Sequence, residues 1–253
     1  MKKNFSVFML SARYMLWPAL IVAVLAAGGT YWRLSSALAA EQVMDARFFD
    51  AAGIVVNLAV TLLCLLLMFP LRERGGVQPG YTLRRLRVSE LAAFLWQGLA
   101  AAAAIFVVLM AVTAVCFFYG LHLQNAGLGE AGELSLLVSF VSSGVTHALL
   151  PLGDWPVYIR SAAVIYALGA ATAYSGFMGR RGKLALSPFV LLAAMWLGDG
   201  FRVEAGDYSQ CLVQTAFCAL WLVGMIISIR SREQDEDGTA SYETSGGEGL
   251  GQS

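Results

Sequence analysis

Ser143 and His147 stand four residues apart, so on one α-helix they would share a face, where a hydroxyl nucleophile could meet a general base. A third group to orient the imidazole is missing nearby, because Asp154 lies beyond Pro151. The pair therefore reads first as the polar face of an external helix, and a membrane enzyme built on it ranks as the third reading. HExxH, GxSxG and paired intramembrane aspartates do not occur. Gly182-Lys183 is followed by Leu184 and preceded by Phe177 where a phosphate loop needs Gly, so the chain has no such route to ATP. Cys64, Cys116, Cys211 and Cys218 fall inside apolar runs without CxxC spacing, and His122 and His147 are the only imidazoles. The cysteines read as small apolar packing residues. The expectation is of no disulfide, no metal site, no cofactor and no catalytic residue.

Two other sets of residues could do work. Gln97 and Gln214 are amides within apolar runs and could line a polar path, although helix-to-helix hydrogen bonding accounts for them equally. The segment Arg72 to Glu90 places Tyr81, Leu83 and Leu86 among Arg84, Arg85 and Arg87, a short helix carrying both apolar anchors and charge. That combination suits docking of another protein. An ordinary basic loop attracted to anionic headgroups explains the same arginines. Thr82 can cap this helix, and Ser89 with Glu90 can open the apolar run that follows.

The elements that position these residues are membrane helices. Of 253 residues 58% are apolar and 13% charged, against about 45–50% and about 25% in soluble domains. A net charge of +0 provides no field for nucleic acid. Runs near the ~20 residues needed to cross a bilayer occupy 14–32, 53–71, 91–119, 161–178 and 211–229, with a shorter one at 184–198. A serine-rich run at 134–150 is ambiguous, and its reading decides between seven crossings and six. With six, the only basic residues outside are Arg33, Arg47, Arg160 and Arg202. Seven would strand Arg180, Arg181 and Lys183 on the wrong side, so the rule that basic loops stay inside favours six. The sequence thus predicts an all-α polytopic bundle of six spans in the cell (inner) membrane. Both termini are cytoplasmic and 134–150 is an external or re-entrant helix. The six span interiors hold no ionisable residue, which argues against a proton-driven pump.

Flanking segments complete the organisation. Met1 to Arg13 reads as a cytoplasmic surface helix, with a signal peptide ending at Ala37-Leu38-Ala39 as the alternative. The stretch 230–253, rich in Glu, Asp, Gly and Ser, reads as a disordered acidic tail. Small residues recur in the third run (Gly98, Ala100 to Ala104) and the fourth (Gly169, Ala170, Ala173), where they would let helix backbones approach closely.

Six spans with both ends inside, an N-terminal surface helix, a basic helix between spans two and three and an extra external element resemble the permease subunits of ABC-2-type exporters. The resemblance implies that 81–87 is a coupling helix for a separate ATP-binding subunit and that the chain forms a homo- or heterodimer. The extra element departs from the pattern, since it precedes the fourth span here and usually lies between the fifth and sixth there. A membrane structural or assembly protein without transport is the alternative.

Overall fold

The computed structural model describes residues 2–41, 48–68, 89–126, 133–150, 153–180, 183, 185–198, 200–203 and 207–247. These are almost entirely helical, with no strand among them. Five helices are long and apolar enough to cross a membrane. They are α1 (Lys2–Glu41), α2 (Gly53–Met68, with the 3-10 turn Phe48–Ala52 in front of it), α3 (Glu90–Asn125), α6 (Trp155–Arg180) and α8 (Tyr208–Gly247). Between them lie α4 (Glu133–Ser142), α5 (Gly144–Leu149) and α7 (Ser187–Leu197).

Directions follow from which residues meet. Phe8 meets Trp96 at 6.1 Å and Tyr31 meets Tyr119 at 5.4 Å between ring centroids, the same offset in sequence, so α1 and α3 run parallel. Phe94 faces Tyr174 and Gly98 faces Ala170, so α6 runs back along α3. Arg160 bonds Gln214 and Tyr174 bonds Ser228, both 54 residues apart, so α6 and α8 are again parallel. Two parallel helices in succession require the chain to travel the length of the bundle between them. That return contains α7, which is antiparallel to α2 through the Trp196–Thr61 and Phe201–Asn57 hydrogen bonds.

The return differs from the expected span at 184–198. α7 has 11 residues, about 16 Å at ~1.5 Å each, roughly half of a ~30 Å hydrocarbon layer. Pro188 sits in its first turn, where a missing N–H costs nothing, and Ala185 and Leu186 before it are not helical. The return is therefore made by a short helix that follows non-helical chain at Ala185 and Leu186.

The start of α1 and the end of α8 thus lie at one end of the bundle, called proximal here; the 3-10 turn, α4, α5 and the first turns of α6 and α8 lie at the distal end. α4 and α5 are too short to cross. The single helix expected at 134–150 is interrupted at Ser143, whose extended backbone (ψ 122°) separates the two. Gly144 follows because Arg202 and Val203 pack against it, and a Cβ there would come within 2.7 Å of the Arg202 Cγ.

Burial places α6 and α3 at the centre and α8 at the periphery. Apolar area alone cannot hold helices together in lipid, which is as apolar as leucine, so close backbone packing must do it. At the α3–α6 crossing a Cβ on Gly169 would lie 2.6 Å from both Ala102 N and Gly98 O. The small residues noted in these two runs are the ones that meet. At the start of α3 the Ala92 N–H donates to the Ser89 hydroxyl at 3.3 Å, with Glu90 in the first turn, as Ser89 and Glu90 suggest in sequence. α1 continues without interruption from Lys2 through the apolar run, and α8 continues through the acidic stretch to Gly247.

Candidate functional site

Two adjoining clusters of polar side chains lie at the distal end. The first forms around Asp50 in the 3-10 turn. Its Oδ1 accepts from the Ser143 hydroxyl at 2.8 Å and from the Val145 N–H at 3.3 Å, and its Oδ2 lies 3.0 Å from Arg202 Nη2. One carboxylate therefore caps α5 from another element and pins the segment after α7. Val203 N–H donates to the Gly144 carbonyl at 3.0 Å and closes this arrangement.

Beside it, His147 is almost completely buried, with Nε2 3.0 Å from Asp154 Oδ2. Neither ring nitrogen has a hydrogen-bond partner, so the two groups are close without a hydrogen bond between them. Ser143 and His147 sit one turn apart as their spacing requires, yet the hydroxyl is committed to Asp50 and the imidazole faces Asp154. Their side chains do not form a dyad.

The second cluster centres on Arg160, and it corrects the expectation that the span interiors lack ionisable groups. The span read as beginning at Ser161 begins at Trp155, because Pro156 occupies the first turn and Asp154 supplies the carbonyl for the Val157 and Tyr158 N–H groups. Arg160 therefore falls within the second turn of the helix, and it is 0% exposed. Its Nε donates to Gln214 Oε1 at 2.6 Å and its Nη2 to the Gly200 carbonyl at 2.6 Å, while Nη1 has no partner. Gln214 in turn donates from Nε2 to the Gly198 carbonyl at 2.9 Å, and Gln210 reaches the same oxygen at 3.2 Å. No carboxylate pairs with Arg160 among the described residues. Neutral dipoles only partly offset the several kcal/mol that desolvating a guanidinium costs.

Gln97 and Gln214 are at different depths. Gln97 is buried beside the Gly98–Ala170 contact, whereas Gln214 is at Arg160; along α6 these levels are roughly 15 Å apart at about 1.5 Å per residue. The two amides thus stand at different levels of the bundle and not side by side. Tyr81, Leu83, Arg84, Arg85, Leu86 and Arg87 lie outside the described residues. All four cysteines are buried and unpaired, on α2, α3 and α8. Among the described residues no group of three His, Cys, Asp or Glu side chains is placed to hold a metal ion.

Two cavities adjoin these clusters. One, of about 450 Å³, lies between α6, α7 and α8 and is bordered by Gly198, Gly200 and Gln214. The other, of about 400 Å³, lies between α3 and α6 under α5, and is lined by side chains such as Phe106, Met110 and Ile165 with Ser161 and Tyr158 at its edge.

No protein-family model matches the chain, and comparisons with curated proteins and with solved structures give no match either. What the chain does must therefore be argued from its own geometry. That geometry defines a polytopic helical membrane protein.

Proposed function

We propose that the chain is a permease-type subunit of an ABC-type export system in the cell (inner) membrane, energised by a separate ATP-binding subunit that docks on Tyr81 to Arg87. The observation that carries this reading is the placement of helix ends. Met68 at the end of α2 and Ser89 at the start of α3 both belong to the proximal end, so the basic segment joining them starts and finishes where α1 begins and α8 ends. Arg13, Lys183, Arg230 and Arg232 belong to the same end, which makes it the cytoplasmic one by the distribution of positive charge. A cytoplasmic ATPase would meet this face. Dimerisation through lipid-facing helices accompanies the reading.

The test is purification of the full chain in mild detergent, with identification of whatever accompanies it. Under this proposal a stoichiometric ATP-binding polypeptide copurifies, and Arg84→Glu with Arg85→Glu removes it while membrane insertion persists. Retention of the partner by the double variant would refute docking at this segment. A preparation free of any ATPase would favour the second reading, a structural or assembly protein.

A further inference from the structure

The cavity between α6, α7 and α8 runs along the bundle rather than across it. Its wall on α8 extends from Ser209 in the first turn to Cys218, about 14 Å at ~1.5 Å per residue. The distal end of the cavity is polar, made by the Gly198 and Gly200 backbone with Gln210 and Gln214. Deeper in the bundle the lining is hydrocarbon, with Leu168, Leu191, Met195 and Phe217. The 54-residue offset between Arg160 and Gln214 puts Ser209 level with Trp155, which is exposed at the start of α6 as aromatic rings at a headgroup layer are. The polar end therefore lies at the distal membrane surface and the apolar end within the hydrocarbon.

The polar end selects against charge. No charged side chain lines the cavity among the described residues, and Arg160 lies behind its wall, buried and turned to Gln214 and Gly200. An ionic headgroup there would lose water without gaining a counter-ion. What this end offers instead is both halves of a neutral hydrogen bond. Gln210 and Gln214 each spend one amide N–H on the Gly198 carbonyl, at 3.2 and 2.9 Å, and each keeps a second. Gln210 Oε1 has no partner among the described residues, and the Ser209 hydroxyl, which donates to Asp207, keeps its lone pairs. A hydroxyl donates and accepts at once, so it matches this set as neither a carboxylate nor an ammonium does. The volume, about 450 Å³, falls in the range of ~300–1,000 Å³ common for small-molecule sites.

We propose that this cavity binds an uncharged single-chain lipid with a hydroxylated head, of the monoacylglycerol kind. The hydroxyls meet Gln210, Gln214 and Ser209, and the tail lies along Leu168, Leu191 and Phe217. The site does not depend on whether an ATPase docks on the proximal face.

Photolabelling of the full chain in phosphatidylcholine nanodiscs tests this, with a 1-monopalmitoylglycerol carrying a diazirine in its tail. Label should concentrate on α7 and on α8 near Phe217. Unlabelled 1-monopalmitoylglycerol should displace it about tenfold or more effectively than methyl palmitate or palmitate, a difference of about 1.4 kcal/mol. Gln210→Leu should weaken that preference for the glyceride severalfold while tail labelling persists; the Gly198 carbonyl keeps Gln214 as a donor, so the variant leaves the turn held. Met195→Trp fills the shaft and should remove label from it. Equal displacement by methyl palmitate would reduce the cavity to a groove for any acyl chain and overturn the proposal. Stronger displacement by palmitate would overturn it in favour of an anionic head. Label spread evenly over the lipid-facing helices and not displaced by the glyceride would mean bulk lipid only and refute the site, as would unchanged labelling of Met195→Trp.

Discussion

The side chain of Asn57 fills the space that a Cβ on Gly200 would occupy, and its Oδ1 accepts from the Phe201 N–H at 3.3 Å. Gly200 has φ +67°, a left-handed conformation that glycine adopts at little cost. The contact joins α2 to the segment after α7 and aims the Gly200 carbonyl at Arg160. One glycine thus sets a turn, receives a neighbouring helix and presents an acceptor to a buried cation.

Gly200→Ala should consequently be among the most disruptive single-atom changes at the distal end. Backbone strain at a non-glycine residue in this region costs about 1–3 kcal/mol, and the clash with Asn57 adds to it. Thermal unfolding in detergent should show a clear drop. Adding Asn57→Ala relieves the clash and leaves the strain, so the double variant should recover part of the loss; no recovery would mean that Asn57 is not the obstructing group.

The α3–α6 crossing makes a sharper demand, since Gly169 faces backbone atoms that cannot rotate away. Gly169→Leu should separate the two helices and destabilise the bundle by about 1–3 kcal/mol or more. Gly28→Leu provides the comparison, because a Cβ there meets nothing within 4 Å. Equal melting temperatures for the two variants would show that this crossing does not hold the central pair together.

Much of this architecture is legible in the residues. Hydropathy locates α1, α2, α3, α6 and α8, and the Gly and Ala of the third and fourth runs mark the faces that meet. The return between α6 and α8 is visible as the short apolar run at 184–198 and through the charges of Arg180, Arg181 and Lys183 before it, although α7 itself has only 11 residues. Arg160 is hidden for a local reason. Pro156 and the charge itself suggest a loop, whereas proline in a first helical turn is favourable and extends the helix past the arginine. The partners of the distal clusters leave no local signal at all: Ser143 and Asp50 are 93 residues apart, Phe201 and Asn57 are 144 apart. Only the packing of the helices brings them together.

Asp50 and Arg202 form an ion pair in which the two ends are unequal. Arg202 is 39% exposed and can turn to water, whereas Asp50 also serves the fully buried Ser143 hydroxyl and the Val145 N–H. Arg202→Ala should therefore cost less than about 1 kcal/mol, as partly exposed pairs do. Asp50→Ala orphans two donors and should cost about 1–3 kcal/mol. Chemical denaturation of the two variants measures this asymmetry, and a larger effect for Arg202→Ala would contradict the arrangement.

Acid should act on the entry to α8. Asp207 precedes the helix, and its Oδ1 accepts from the Ser209 hydroxyl at 2.7 Å and the Gln210 N–H at 3.2 Å. These hydrogen bonds, the Ser209 hydroxyl foremost, stabilise the carboxylate and hold its pKa below the ordinary aspartate value of 3.8. A group whose folded pKa is depressed contributes stability above its unfolded pKa and loses it as pH falls through the folded value. The first turn of α8 should therefore be fully secured at neutral pH and begin to loosen only as pH drops below about 3.8. Hydrogen exchange at the Gln210 amide, followed from neutral pH to pH 3 and corrected for intrinsic rates, reads this directly. Asp207→Ala should exchange faster than the unaltered chain at neutral pH, with the gap narrowing in acid. A gap of constant size across that range would show that ionisation of Asp207 does not secure the turn.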